Sequence, residues 1–131
     1  MDTYSVTNAT RSSLPRGDFS YIKDHILGKR YTLSVVYVSR ARMQKLNRTY
    51  RKKNEPTDIL SFPLSKTSGE IILHLESVKK KSKTFGLSFR AYLTFLFIHG
   101  CLHLKGHEHG RTMEKLEDRW CSVLNTPPLK R

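Results

Sequence analysis

The sequence predicts an α+β fold: a small, mostly N-terminal β-sheet of about four strands packed against helices, with a central apolar helix that carries the candidate metal ligands. Three observations predict it. Short stretches rich in β-branched and aromatic residues gather in the first half, and longer helical patterns fill the second. One stretch, FRAYLTFLFIHGCLHL, is apolar around most of a helix circumference, which suits burial across a sheet. The length of 131 residues supports one real core and would leave two domains marginal, and no repeat divides it, so residues 1–131 read as a single domain.

Taken in order, residues 4–7 form a weak strand candidate and residues 11–17 a turn-rich linker. Asp18 is placed to cap a short helix that runs to about Leu27 and stops at Gly28. Residues 33–38, LSVVYV, are the clearest strand. Ser39 then caps a second helix, with Met43, Leu46 and Tyr50 on the face expected to pack on the sheet. Residues 57–62 and 69–75 are strand-like, separated by Pro63 and a short polar loop. The basic run at residues 79–83 reads as flexible. The apolar helix spans residues 88–105, and a last helix spans 112–124, with Met113, Leu116, Trp120, Val123 and Leu124 as its apolar face. The tail, residues 125–131, holds two prolines and reads as frayed.

Charge points to the partner. Lys and Arg number 24 against 11 Asp and Glu, a net +13. Such a surface attracts polyanions, of which nucleic acid is the commonest, although basicity that serves only solubility is the plainer reading. No membrane partner is expected, because the strongest apolar stretch, residues 91–98, falls far short of the ~20 needed to span a bilayer. The first residues, MDTYS, do not resemble a secretion leader, so a cytoplasmic location is expected. Between residues 40 and 53 lie seven basic residues and no acidic one. Arg42, Lys45, Arg48 and Arg51 recur every third residue as a ridge, followed by Lys52 and Lys53. Like charges at helical spacing repel, so this ridge reads as an RNA-binding face in preference to a merely solvated one.

The residues that carry chemistry are His99, His103 and His109. His99 and His103 are four apart on a helix, which stacks them on one face within reach of one ion. Gly106 suits the left-handed position that ends a helix, and the returning chain brings His109 toward the same ion. Three imidazoles plus water is the usual make-up of an open, catalytic zinc site, though three histidines also suit other divalent transition metals. His107 is expected to point away, and His25 and His74 to be structural. Cys101 falls about 200° around the helix from His99 and, like Cys121, reads as a reduced core residue. The spacing H-x3-H-x2-G-x2-H is also that of metzincin proteases, but those need a Glu general base after the first His, and here that residue is Gly100. A zinc protease is therefore the weaker reading.

Taken together, the segments resemble the YbeY family of metal-dependent endoribonucleases, bacterial rRNA maturation factors. Leu46-Asn47 with Tyr50-Arg51, followed by Thr57 to Pro63, is similar to the family's LN-x2-YR … TDVLSFP segment. Gly69-Glu70-Ile71 is similar to its GDI strand start, and His99 to His109 to its HGxLHLxGxDH motif. The departures are Glu108 for Asp, His107 for the more frequent Tyr, and Arg90-Ala91 where the family often has Arg-Glu. The resemblance implies one zinc ion held by His99, His103 and His109. It also implies single-stranded RNA cleavage tied to ribosomal RNA maturation and ribosome quality control, with ribosomal RNA, the ribosome or its proteins as partners, and Arg51 as the functional arginine. Catalysis is thus implied at Arg51, His99, His103 and His109; Asp58, which could orient a ligand histidine from behind, and Ser61 are further candidates, beside the plainer reading in which Thr57 and Asp58 fix a turn into a strand. The attacking group is either water or the RNA's own 2′-hydroxyl. A non-catalytic RNA- or ribosome-binding factor with a structural metal is the alternative.

Overall fold

The computed structural model describes residues 3–129. The elements are β1 (Tyr4–Ala9), α1 (Ser20–Leu27), β2 (Thr32–Val38), α2 (Arg40–Arg51), β3 (Ile59–Ser65), β4 (Ser68–Leu73), α3 (Leu75–Thr84), α4 (Phe89–Leu104) and α5 (Arg111–Val123). The strands form one mixed sheet in the order β1-β2-β4-β3. β1 and β4 both run parallel to β2, and β3 is antiparallel to β4, so β1 and β3 are the two edges.

Strand alternation divides the core in two. Leu33, Val35, Tyr37, Ile59, Ile71 and Leu73 point to one face, where α1, α3, α4 and α5 supply the main core. Val38, Leu60 and Ile72 point to the other, which Met43 and Leu46 of α2 cover. The apolar helix α4 lies at the centre of the larger layer and contacts α1, α3, α5 and β3. Its side chains are buried all round from Ala91 to Ile98, as its sequence requires. Ser88 caps it by accepting the Ala91 N–H at 3.1 Å. No single helix among the described residues is long and apolar enough to cross a membrane.

The α+β class and the N-terminal sheet are as the sequence predicts; several details differ. Residues 79–83 are not flexible but form the body of α3, which begins at Leu75, so β4 stops at Leu73. Lys and Glu are good helix formers, and Val78 and Ser82, four apart, seat the helix on the core. Pro63 lies inside the edge strand β3, at the register shift before Ser65, where a missing N–H is tolerated. Tyr50 does not pack under α2 but is 63 % exposed, and Asn47 takes the buried position, its Nδ2 donating to the Glu55 carbonyl at 2.8 Å. Val123 is likewise exposed. Of the tail, Lys130 and Arg131 lie outside the described residues.

Candidate metal centre

His99 and His103 stand on the last two turns of α4, half-buried, with ring centroids 4.5 Å apart. The helix then ends. Gly106, at φ +108, adopts a backbone conformation that L side chains rarely accept, and its N–H bonds back to the His103 carbonyl at 3.0 Å. That reversal returns His109 to the pair, with centroids 5.2 Å from His99 and 4.8 Å from His103. One ligand nitrogen from each of the three lies within 4.8 Å of the others.

The remaining ring nitrogens decide whether this cluster suits a cation. His99 Nδ1 lies 2.5 Å from Glu117 Oε2, and His103 Nδ1 lies 3.0 Å from the His107 carbonyl oxygen. Both acceptors require the ring to donate, which puts each proton on Nδ1 and leaves Nε2 with a free lone pair. The two Nε2 atoms sit 3.1 Å apart, near the ~3.3 Å expected of two nitrogens about 2 Å from one tetrahedral ion. Two bare lone pairs that close repel unless a cation lies between them. Burial first, then His99 and His109, holds His103 below the ordinary histidine range, so its ring is neutral at neutral pH and competent to bind metal. The donor set fits a zinc-like ion.

Glu117 is the residue that sequence reasoning missed. It comes from α5, eighteen residues after His99, and is buried with Met113 and Cys121 along one stripe of that helix. A carboxylate four residues after one apolar core position and four before another was the available signal.

Gly100 has a packing reason to be glycine. A Cβ there would meet Ile71 Cδ1 at 2.9 Å and Ile59 Cδ1 and Ser61 Oγ at 3.1 Å. The position after His99 therefore faces the sheet, where a Glu could neither fit nor serve as a base, and the protease reading loses its chemistry for a geometric reason. Cys101 is fully buried, with its thiol pushed up to about 12 by burial, and Cys121 is likewise fully buried, in keeping with core roles. His25 bonds the Tyr21 carbonyl and His74 bonds Ser77, outside the cluster.

The other expected site residues are placed differently. Ser61 lies beneath the Gly100 turn of α4. Asp58 is buried, but its carboxylate accepts from Tyr92 at 2.6 Å and faces Lys81 Nζ at 3.7 Å. The role suggested for Asp58, orienting a histidine, is instead filled by Glu117. Arg42, Lys45, Arg48, Arg51, Lys52 and Lys53 are all exposed, on and just after α2. Their helix packs on the opposite face of the sheet from α4, at whose end the three histidines gather. The two faces meet at the edge strand β3, where Phe62 packs against Tyr50, the neighbour of Arg51, and Ser61 sits under the turn that carries His99.

Known proteins place this arrangement. Residues 9–124 match the family described as endoribonuclease YbeY. The chain is 37 % identical over 107 residues to the endoribonuclease YbeY of Carboxydothermus hydrogenoformans, covering 74 % of this chain and 75 % of that one. It is 36 % identical over 95 residues to that of Pelagibacter ubique, covering 66 % of this chain and 62 % of that one. A solution structure from Thermotoga maritima shares the fold, with a TM-score of 0.58 and 24 % identity over 98 % of this chain and 99 % of that one. With the family matched over most of its length, the chain belongs to the YbeY endoribonuclease family.

Proposed function

We propose that the protein is a zinc-dependent endoribonuclease that cuts single-stranded RNA during ribosomal RNA maturation and ribosome quality control in a bacterial cytoplasm. The observation that carries this reading is the convergence of three imidazoles, two of them with the ligand nitrogen freed by an acceptor on the other side of the ring. His99, His103 and His109 would hold a divalent ion, which would supply a Lewis acid for a phosphate oxygen and for water. The protein's own residues do the rest. Glu117 and the His107 carbonyl keep the protons on Nδ1, and Arg51, with its planar fork, offsets phosphate charge. The exposed cations of α2 hold the backbone electrostatically, in proportion to the phosphates they neutralise. Ribosomal RNA, on the ribosome or released from it, is the partner this charge suits.

The test is a labelled single-stranded RNA incubated with wild-type protein and with His103→Ala, purified side by side, with metal measured on both. The expected outcome is about one metal per chain and cleavage for wild type, and loss of both for the variant. Equal cutting by both would assign the activity to a contaminant. Wild type that keeps its metal, binds the RNA and leaves it whole would make the chain an RNA-binding factor with a structural metal. Product ends name the nucleophile: a 2′,3′-cyclic phosphate with a 5′-hydroxyl marks attack by the 2′-hydroxyl, and a 5′-phosphate with a 3′-hydroxyl marks water.

A further inference from the structure

We propose that Tyr50, backed by Phe62, is a stacking platform for an unpaired RNA base beside the metal centre. The inference rests on the RNA reading above and adds to it a contact with a base. Tyr50 closes α2 at a position that helical spacing assigns to the core, yet it is 63 % exposed. Its ring partner is Phe62 on β3, with centroids 5.0 Å apart and planes 61° apart. An edge-to-face pair of this kind fixes a ring in place without covering it.

What surrounds the ring says what covers it. Arg48, Arg51, Lys52 and Lys53 lie within three residues of Tyr50 in the chain, all exposed, and no acidic residue occurs from Arg40 to Asn54. On the endoribonuclease reading, the polyanion that these cations meet is RNA and not an anionic membrane. A held aromatic among cations is the combination by which proteins bind single strands: the cations take the backbone and the ring takes a base. The location suits this use. Phe62 adjoins Ser61, which packs under Gly100, the residue after His99, so the platform and the metal ligands flank the same edge strand from opposite faces. A strand passing over the β3 edge places a base on Tyr50 and a phosphate toward the histidines.

The test compares wild type, Tyr50→Leu and Tyr50→Trp for binding of a 2′-O-methyl oligoadenylate and of the same backbone with abasic sites, each over a range of salt. Tyr50→Leu is expected to lose roughly tenfold in affinity for the oligoadenylate and little for the abasic strand, while Tyr50→Trp retains or gains affinity. The salt dependence should stay the same in all three, because no cation is removed. Metal content should also hold, and the thermal midpoint should fall only by the few degrees that loss of the Phe62 ring contact allows. Equal loss on both strands, or no loss on either, overturns the platform while leaving the RNA reading standing. Wild type that holds neither strand overturns the RNA reading, and the platform with it.

Discussion

At the scale of single residues, the carboxylate of Glu117 sets the character of the metal centre. It accepts from His99 Nδ1 at 2.5 Å from a buried position, and an ionised acceptor that close makes the far nitrogen of the ring more basic. Glu117→Gln keeps the shape and an acceptor oxygen but removes the charge. Metal affinity is expected to fall by about ten- to a hundredfold, read by competition with a coloured chelator, with the circular dichroism of the fold retained. An unchanged affinity would show that His99 needs no help from α5. The histidines themselves were legible because four-residue spacing on a helix, followed by a helix-ending glycine, is local information. Glu117 was not, because its link to His99 exists only once α5 folds back on α4. Asp58 illustrates the converse: its place just before a strand and near a motif suggested a role at the metal, and its burial was real, but its partner is Tyr92 of α4.

At the scale of elements, the metal centre depends on how α4 ends. The helix stops where Gly106 turns to positive φ, and the chain reversing there brings the exposed His109 back to two half-buried ligands. A Cβ at Gly106 would meet nothing within 4 Å, so the cost of Gly106→Ala is one of backbone strain, on the order of 1–3 kcal/mol. Part of that strain is expected to relax by opening the turn, so the variant should bind metal more weakly as well as melt earlier. Calorimetry with and without metal separates the two effects, and a variant that melts earlier but binds metal as wild type does would show that His109 is held by other contacts. The elements the sequence displayed well, β2, α4 and α5, have long or strongly patterned runs. Those it misjudged have patterns that need the tertiary context: α3 hides a helix inside a lysine run, and α2 buries Asn47 where Tyr50 has the better apolar claim. The exchange of those two is settled by the Glu55 carbonyl, which gives Asn47 a partner in the interior.

At the scale of the whole molecule, the packing of helices on a small sheet was foreseeable from strands before helices, whereas the mixed strand order was not, since short strands carry no signal for which neighbour they pair with. The folded whole also changes how the chain holds protons. His74 sits between β4 and α3, almost wholly buried, with Nδ1 2.8 Å from Ser77 Oγ. Burial, aided by Arg40 and only partly opposed by Glu76, holds its pKa below the ordinary 6.5. The unfolded chain, with the ordinary value, then takes up a proton more readily than the folded one. The stability His74 contributes is therefore complete above 6.5 and is lost as pH falls through the depressed folded value. His103 is displaced in the same direction and adds to the trend in the metal-free protein. With chelator present, the urea midpoint is expected to drop between neutral pH and a pH well below 6.5, and His74→Gln, which titrates nowhere in that interval, should show a smaller drop. Equal drops in the two proteins would assign the acid sensitivity to the histidine cluster, or to the repulsion of a chain already carrying +13, and would remove His74 from the account.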